Sequence, residues 1–264
     1  MPAIGEIISN RVLQDAYRQI EFYVPDICRQ TQPGQFIHLK INGLRDRILR
    51  RPFSICNVTD DGILTVVYKV VGTGTEVLAE LPPGTVCDLL GPLGKPFSLP
   101  QPDELPVLVA GGYGSAATYL LAQRSPVKGL LLLGARSRTD LILTDRFAAA
   151  GFAVRTATND GSAGIKGLVT DLVTAVIQEN PGRKLRFYGC GPHGMLMALG
   201  KQILAAGYDG ELSLDHLMCC GIGACFACVV KVKADTPEGW RYARTCKEGP
   251  VFPASRVYYE EAGK

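Results

Sequence analysis

The chain has 264 residues, 47% of them hydrophobic and 20% charged, with a formal net charge of +3. That balance excludes a disordered chain and leaves no electrostatic footprint for nucleic acid, and the length suggests about two domains. The longest uncharged stretch, 105–123, contains Pro106, Gly111, Gly112 and Gly114, so it reads as strand, turn and helix and not as a membrane span. No basic region followed by an apolar run opens the chain, and nine cysteines without a secretory signal predict a cytoplasmic protein lacking a disulfide framework.

Residues 1–100 read as all-β. Short β-rich segments at 36–41, 53–58, 63–71 and 86–90 are separated by Gln32-Pro33-Gly34, Asp60-Asp61-Gly62, Pro82-Pro83-Gly84 and Gly91-Pro92-Leu93-Gly94. About six strands in this length predict a small closed antiparallel β-barrel. One helix is expected inside it, because Thr73 and Glu76 have capping-box spacing and Val77, Leu78 and Leu81 give an apolar side. Arg51-Pro52-Phe53-Ser54 begins a barrel strand, and Lys69 to Thr75 ends another with a glycine turn that opens the helix. A glycine turn at a helix N-terminus suits a phosphate; Arg51 would add a fixed charge and Ser54 a hydrogen bond to a ring. Each signal alone also describes an ordinary turn, but the two in one barrel point to a flavin or nucleotide.

From 101 to 214 strands alternate with helices. Strands are expected at 107–110, 130–134, 153–156 and 185–188, with 211–214 closing the sheet, and helices at 116–124, 141–150 and 168–179. This predicts a parallel α/β nucleotide-binding domain. Gly112-x-Gly114-x-x-Ala117 fits the dinucleotide turn between strand and helix. The acidic residue expected about 20 positions on is absent. Arg136, Ser137 and Arg138 stand there instead, as a 2′-phosphate site or a solvated turn, which leaves NAD against NADP open. Cys190, at the carboxyl end of a strand, is either close to a nicotinamide or a small buried thiol.

The last segment, 215–264, holds five cysteines between Cys219 and Cys246. Cys220, Cys225 and Cys228 give C-x4-C-x2-C, with Cys246 downstream, the plant-type spacing for a 2Fe-2S cluster. Gly221 and Gly223 allow the loop to bend tightly, so that backbone N–H groups approach sulfur. A structural zinc site is the plainer reading, but zinc ligands come as two closely spaced pairs. Cys219 falls outside the pattern. His216 has no second histidine nearby for a Rieske site and reads as a surface or packing residue.

Together these motifs resemble the ferredoxin–NADP reductase superfamily. Cys220 to Cys228, Cys246-Lys247-Glu248-Gly249-Pro250-Val251-Phe252 and Asn159-Asp160-Gly161-Ser162 to Asp171 are similar to the electron-transfer subunits of type B dihydroorotate dehydrogenases, over essentially the whole chain. The resemblance implies FAD on Arg51, Pro52, Phe53 and Ser54, with Val67, Tyr68 and Lys69 lining the flavin and Gly74 and Thr75 at its pyrophosphate. NAD is expected at Gly112, Gly114 and Cys190 from their strand-end context, and the resemblance implies a 2Fe-2S cluster on Cys220, Cys225, Cys228 and Cys246. It further implies a partner, an FMN-containing catalytic subunit, in a two-plus-two heterotetramer within pyrimidine biosynthesis, and a stacking group or tail residue that yields to the nicotinamide. Ala117 departs from a common proline, and an insertion is expected near Asp235–Gly239. The competing readings are the electron-transfer subunit of a sulfhydrogenase or of an NADH-dependent ferredoxin–NADP reductase, a redox sensor and a zinc-stapled binding module.

Overall fold

The computed structural model describes residues 2–44, 48–214 and 217–260; Asp215 and His216 lie outside them. The first sheet is antiparallel. It comprises β1 (Pro2–Gln14), β2 (Tyr17–Tyr23), β3 (Phe36–Lys40), β4 (Arg51–Ser54), β5 (Asn57–Val58), β6 (Ile63–Lys69) and β7 (Val86–Leu93), in the order β4-β3-β7-β1-β2-β6-β5. Its outermost strands, β4 and β5, are joined by Ile55 and Cys56 alone, so the sheet must curl until its edges meet. The Ile55 N–H donates to Gln35 O at 3.0 Å and the Cys56 N–H to Thr65 O at 2.9 Å across this seam. Closure removes exposed strand edge and encloses Ile7, Ile20, Phe22, Ile37, Leu39, Leu64 and Val66.

Strands β1 and β2 fall outside the set expected from sequence. In β1 only Gly5 and Ile7 are buried, so the strand is held by pairing on both sides and carries little hydrophobic periodicity. Helix α1 (Pro25–Gln30) is also additional, and α2 (Thr73–Glu80) is the expected helix with a different cap. Gly72 is its N-cap, Thr73 already lies in the first turn, and Thr75 Oγ1 accepts the N–H groups of Val71 at 2.9 Å and Gly72 at 3.2 Å.

The second sheet holds β8 (Leu105–Gly111), β9 (Leu130–Ala135), β10 (Ala153–Thr158), β11 (Ile165–Lys166), β12 (Leu185–Cys190) and β13 (Gly210–Ser213), all parallel, in the order β11-β10-β9-β8-β12-β13. Helices α3 (Gly114–Arg124), α4 (Thr144–Ala149), α5 (Val169–Glu179) and α6 (His193–Ala205) cover its faces. Every residue of β8 is buried. Val107 and Val109 face α5 and α6, while Leu108 and Ala110 face α3 and α4, the side on which Tyr17, Val67 and Phe97 of the first unit also pack. Helix α6 was not among the expected helices, because Gly194 and Gly200 dilute its helical signal; the ring of Tyr259 fills the space beside Gly200.

After a hairpin of β14 (Val229–Lys233) and β15 (Trp240–Arg244), the chain returns as β16 (Val251–Pro253) and pairs antiparallel with β13. The expected insertion at 235–239 lies in the turn of this hairpin. Phe252, Ala254 and Val257 enter the same core as α5 and α6. Among the described residues no helix is long and apolar enough to cross a membrane.

A polar triad helps to tie the barrel to the α/β unit, beside the contacts of Gln14, Gln19 and Thr31 with Thr139, Arg146 and Arg124. Asp140 accepts from Tyr17 Oη at 2.8 Å and from Lys69 Nζ at 2.6 Å. The Lys69 hydrogen bond is the main influence that holds the Asp140 carboxyl below the usual carboxylate range, against its burial. A carboxyl that titrates lower when folded contributes stability above its unfolded value and loses it as pH falls through the folded one. Asp140→Asn is therefore expected to lower the thermal midpoint by an amount equivalent to about 1 kcal/mol, given the exposure of Lys69. The gap should stay constant from about pH 6 to 8 and close below about pH 4, as a pH series of melting curves would read.

Candidate cofactor sites

In the second sheet the strand order reverses between β8 and β12, which opens a crevice at their carboxyl ends where ligands of such sheets bind. A cleft of about 630 Å³ lies there. Gly111, Gly112 and Tyr113 line it from the β8 turn, Gly134 to Arg136 from β9, Pro192 and Met195 from the start of α6, and Tyr17, Lys69 and Val71 from the barrel. The cleft is thus shared by the flavin-type barrel and the nucleotide-type sheet. Gly114 admits no side chain: a Cβ there would lie 2.1 Å from the carbonyl oxygen of Cys190, so β12 and the start of α3 meet backbone to backbone. Gly114 and the buried Cys190 thus touch through backbone, and of the expected nucleotide residues Gly112 lines the cleft.

Arg138 is committed to its own loop. Its guanidinium donates to Ser162 O at 3.0 and 2.7 Å, and the Ser162 hydroxyl donates to Asp160 at 2.6 Å. Arg136, by contrast, lines the cleft. The described tail does not line it: Tyr259 Oη donates to Ala254 O at 2.9 Å beside α6, and the aromatic residues that do line the cleft are Tyr17 and Tyr113.

On the barrel, Arg51 to Ser54 are half-buried along β4, which pairs with β3. The position of a Cβ on Gly74 would be 3.7 Å from Arg51 Nε, and no described residue lies within 4 Å of one on Gly72. A guanidinium, which also donates to Leu49 O at 2.6 Å, therefore stands beside the N-terminus of α2. This is an anion cradle suited to a pyrophosphate. Val67 is buried between barrel and sheet. Tyr68 points into the barrel, where its hydroxyl meets Asn10 at 3.1 Å and its ring meets Phe53 edge-on. Tyr68 thus supports the lining from behind.

The cysteine loop is shaped for sulfur ligation. Burial disfavours the Cys220 thiolate, but the N–H groups of Ile222, Cys225 and Ala224 and the Cys225 thiol all bond its sulfur and pull the thiol down to about 6. Cys246 is pushed up to about 12, first by burial and then by Cys228, with Cys220 also in range. The thiols therefore meet as two pairs, Cys220 with Cys225 and Cys228 with Cys246. Among the described residues, no three His, Cys, Asp or Glu side chains close on a single point as the ligands of one metal ion would. Two thiol pairs within reach of each other, with N–H groups aimed at sulfur, fit the ligand set of a two-iron cluster. Arg244 braces the loop through Gly223 O at 2.9 Å and lies over the Phe226 ring at 4.9 Å.

Sequence reasoning missed Tyr17, Asp140 and His38. Asp140 closes the run Arg136–Asp140, where only the cations drew notice. Tyr17 precedes every expected strand, and His38 reads as an unremarkable strand residue.

A curled flavin-type barrel, a parallel nucleotide-type sheet and a cysteine appendage define a reductase of the ferredoxin-reductase fold. Residues 215–258 match the family model described as the iron-sulfur cluster binding domain of dihydroorotate dehydrogenase B. A Desulforamulus reducens protein named dihydroorotate dehydrogenase B (NAD(+)), electron transfer subunit, is 37% identical over 246 residues, 91% of this chain and 92% of its own length. A Geobacillus kaustophilus protein of the same name is 36% identical over 260 residues, 95% and 96% of the two chains. Among solved structures, an NADH-dependent reduced ferredoxin-NADP oxidoreductase superposes with a TM-score of 0.83 at 26% identity, covering 97% of this chain and 90% of that one. The ferredoxin reductase of a carbazole 1,9a-dioxygenase shares the fold, with a TM-score of 0.66 at 21% identity over 79% of this chain and 66% of its own. The chain belongs to the family of electron transfer subunits of dihydroorotate dehydrogenase B.

The contact at Gly114 yields a direct test. Gly114→Ala is expected to cost about 3 kcal/mol through overpacking, read as a fall in the denaturant midpoint. Gly194→Ala, in α6 with no described residue within 4 Å of the added carbon, should leave the midpoint unchanged or raise it.

Proposed function

We propose that this chain is the NAD-linked electron-transfer subunit of a dihydroorotate dehydrogenase. Barrel 1–100 holds FAD, the α/β unit 101–214 holds NAD, and segment 215–264 holds a 2Fe-2S cluster. The observation that carries this is the four-thiol loop, packed on the same barrel that offers the Arg51 cradle. When bound, FAD exchanges a hydride with NAD and single electrons with an iron–sulfur centre. The chain supplies placement and charge. Arg51 and the α2 N-terminus offset pyrophosphate charge, with Gly74 and Thr75 in the turn. Pro52, Phe53, Ser54, Val67, Tyr68 and Lys69 form and support the flavin wall, while Gly112 lines the nicotinamide end of the shared cleft, with Gly114 and Cys190 packed behind it. Cys220, Cys225, Cys228 and Cys246 hold iron. No side chain is assigned to acid–base chemistry on dihydroorotate, which falls to the FMN-bearing catalytic partner in a two-plus-two assembly.

The partner is expected to dock on the cysteine loop. Ile222 is 56% and Phe226 60% exposed, on either side of the exposed Cys225. Removing everything from residue 215 would be a poor probe of docking, since it also takes β16 from the parallel sheet. Ile222→Asp leaves β16 and the Arg244–Phe226 contact in place and should abolish co-purification with the catalytic subunit; undiminished co-purification would reject this docking face.

The cofactor reading is tested by the visible spectrum before and after anaerobic NADH. Flavin bands near about 450 nm and a shoulder toward roughly 550 nm, both bleached by NADH, are expected. Serine in place of Cys220, Cys225, Cys228 or Cys246 should remove or strongly alter the shoulder while the flavin bands stay, and Cys219→Ser should alter neither. A colourless zinc-containing protein would overturn the proposal.

A further inference from the structure

Five buried side-chain atoms lack a hydrogen-bond partner among the described residues. Three of them, His38 Nδ1, His38 Nε2 and Thr245 Oγ1, belong to two residues that border the cysteine loop. His38 is the more informative. Along β3, Ile37 and Leu39 point into the barrel core, so Phe36 and His38 point outward. Phe36 packs against Met218, Cys228 and Cys246. The His38 ring is 0% exposed. A Cβ on Gly221 would lie 2.8 Å from both Cε1 and Nε2 of that ring and 2.9 Å from Cδ2. The far edge of the imidazole is therefore pressed onto the residue that follows Cys220, and Gly221, at φ +70°, has the one side chain that leaves room for it.

A buried N–H without an acceptor costs about 1–3 kcal/mol, and a leucine would fill an outward barrel position without that cost. Among the described residues neither nitrogen finds an acceptor: Phe36 offers a ring, and Arg50, the charged group that acts on His38, is a cation. The cysteine loop meets the far edge of the ring at Gly221, and a cluster held there presents sulfur atoms that accept hydrogen bonds. We propose that His38 donates its Nε2–H to a sulfur of the cluster held by Cys220, Cys225, Cys228 and Cys246, and so raises its reduction potential. This rests on the cluster reading above. The direction follows from charge: the reduced cluster is more negative by one electron, so a donor to sulfur favours it.

The test is a redox titration of the purified full chain with FAD and iron bound, with the cluster followed by EPR and the flavin by absorbance. His38→Leu should shift the cluster's reduced-to-oxidised ratio at fixed ambient potential by about tenfold toward oxidised, or 59 mV for one electron, while the flavin potential stays in place. His38→Gln, which keeps a donor, should restore most of the shift. An unchanged cluster potential in His38→Leu, or equal shifts in the two variants, would overturn the proposal. Pulsed EPR of the reduced wild-type chain labelled with 15N-histidine gives a reading that does not depend on the leucine variant retaining iron. A nitrogen coupling that disappears in His38→Gln supports the proposal, and absence of any coupling overturns it. A wild-type chain without iron and sulfide would instead overturn the cluster reading on which it stands.

Discussion

Strand β3 is buried on both faces, and the arrangement of the cofactor sites depends on that. Its inner residues, Ile37 and Leu39, close the barrel core, and its outer residues, Phe36 and His38, receive the cysteine loop. Its edge pairs with β4, which carries Arg51 to Ser54. One strand of five residues thus touches the proposed flavin wall sideways and the proposed cluster site face-on. A barrel strand open to water on one side would alternate apolar and polar residues. Phe36-Ile37-His38-Leu39 does not, because neither side faces water.

The shared cleft is organised by a second constraint, the joint between barrel and sheet. Tyr17 and Lys69 reach from β2 and β6 to a single carboxylate, Asp140, at the cleft wall. The same packing layer joins Tyr17, Val67 and Phe97 to the core beneath β8 and β12. The two units therefore hold a fixed relation through apolar burial, and the polar triad sets the chemistry of the opening between them. Since Arg138 is tied to Ser162, the cationic side chain left at that opening from the β9 turn is Arg136.

Much of this was legible in the sequence, for identifiable reasons. The β8 turn was readable because Gly112 and Gly114 serve a backbone requirement that other residues meet poorly, and the cysteine loop because its ligand spacing is dictated by the size of a cluster. The parallel strands were readable as apolar runs, being covered on both faces. The signal failed where structure comes from pairing without burial, as in β1, and where tertiary contacts override local pattern, as at Gly200 against Tyr259. It also failed for Asp140 and His38, whose roles exist only because distant segments meet them. The return of β16 to β13 was hidden for the same reason: Val251, Phe252 and Pro253 form a short edge strand whose partner lies about forty positions earlier.

That return has a topological consequence. The excursion carrying the cysteines leaves the parallel sheet after β13 and rejoins it at β16, and its base is closed by the Leu214 N–H donating to Pro250 O at 2.8 Å. Both ends are anchored in the sheet, and the hairpin within the excursion adds Val232 and Ala243 to the core of α5 and α6, whereas the cysteine segment 217–228 lies outside that core. A segment tethered in this way can open and reclose as a separate cooperative unit while the rest of the fold stays intact. Its reach in the open state is limited by the fixed base, so the chain entropy gained on opening is smaller than for a free tail of the same length. Cluster insertion can accordingly be a late, local event on a molecule that is already folded.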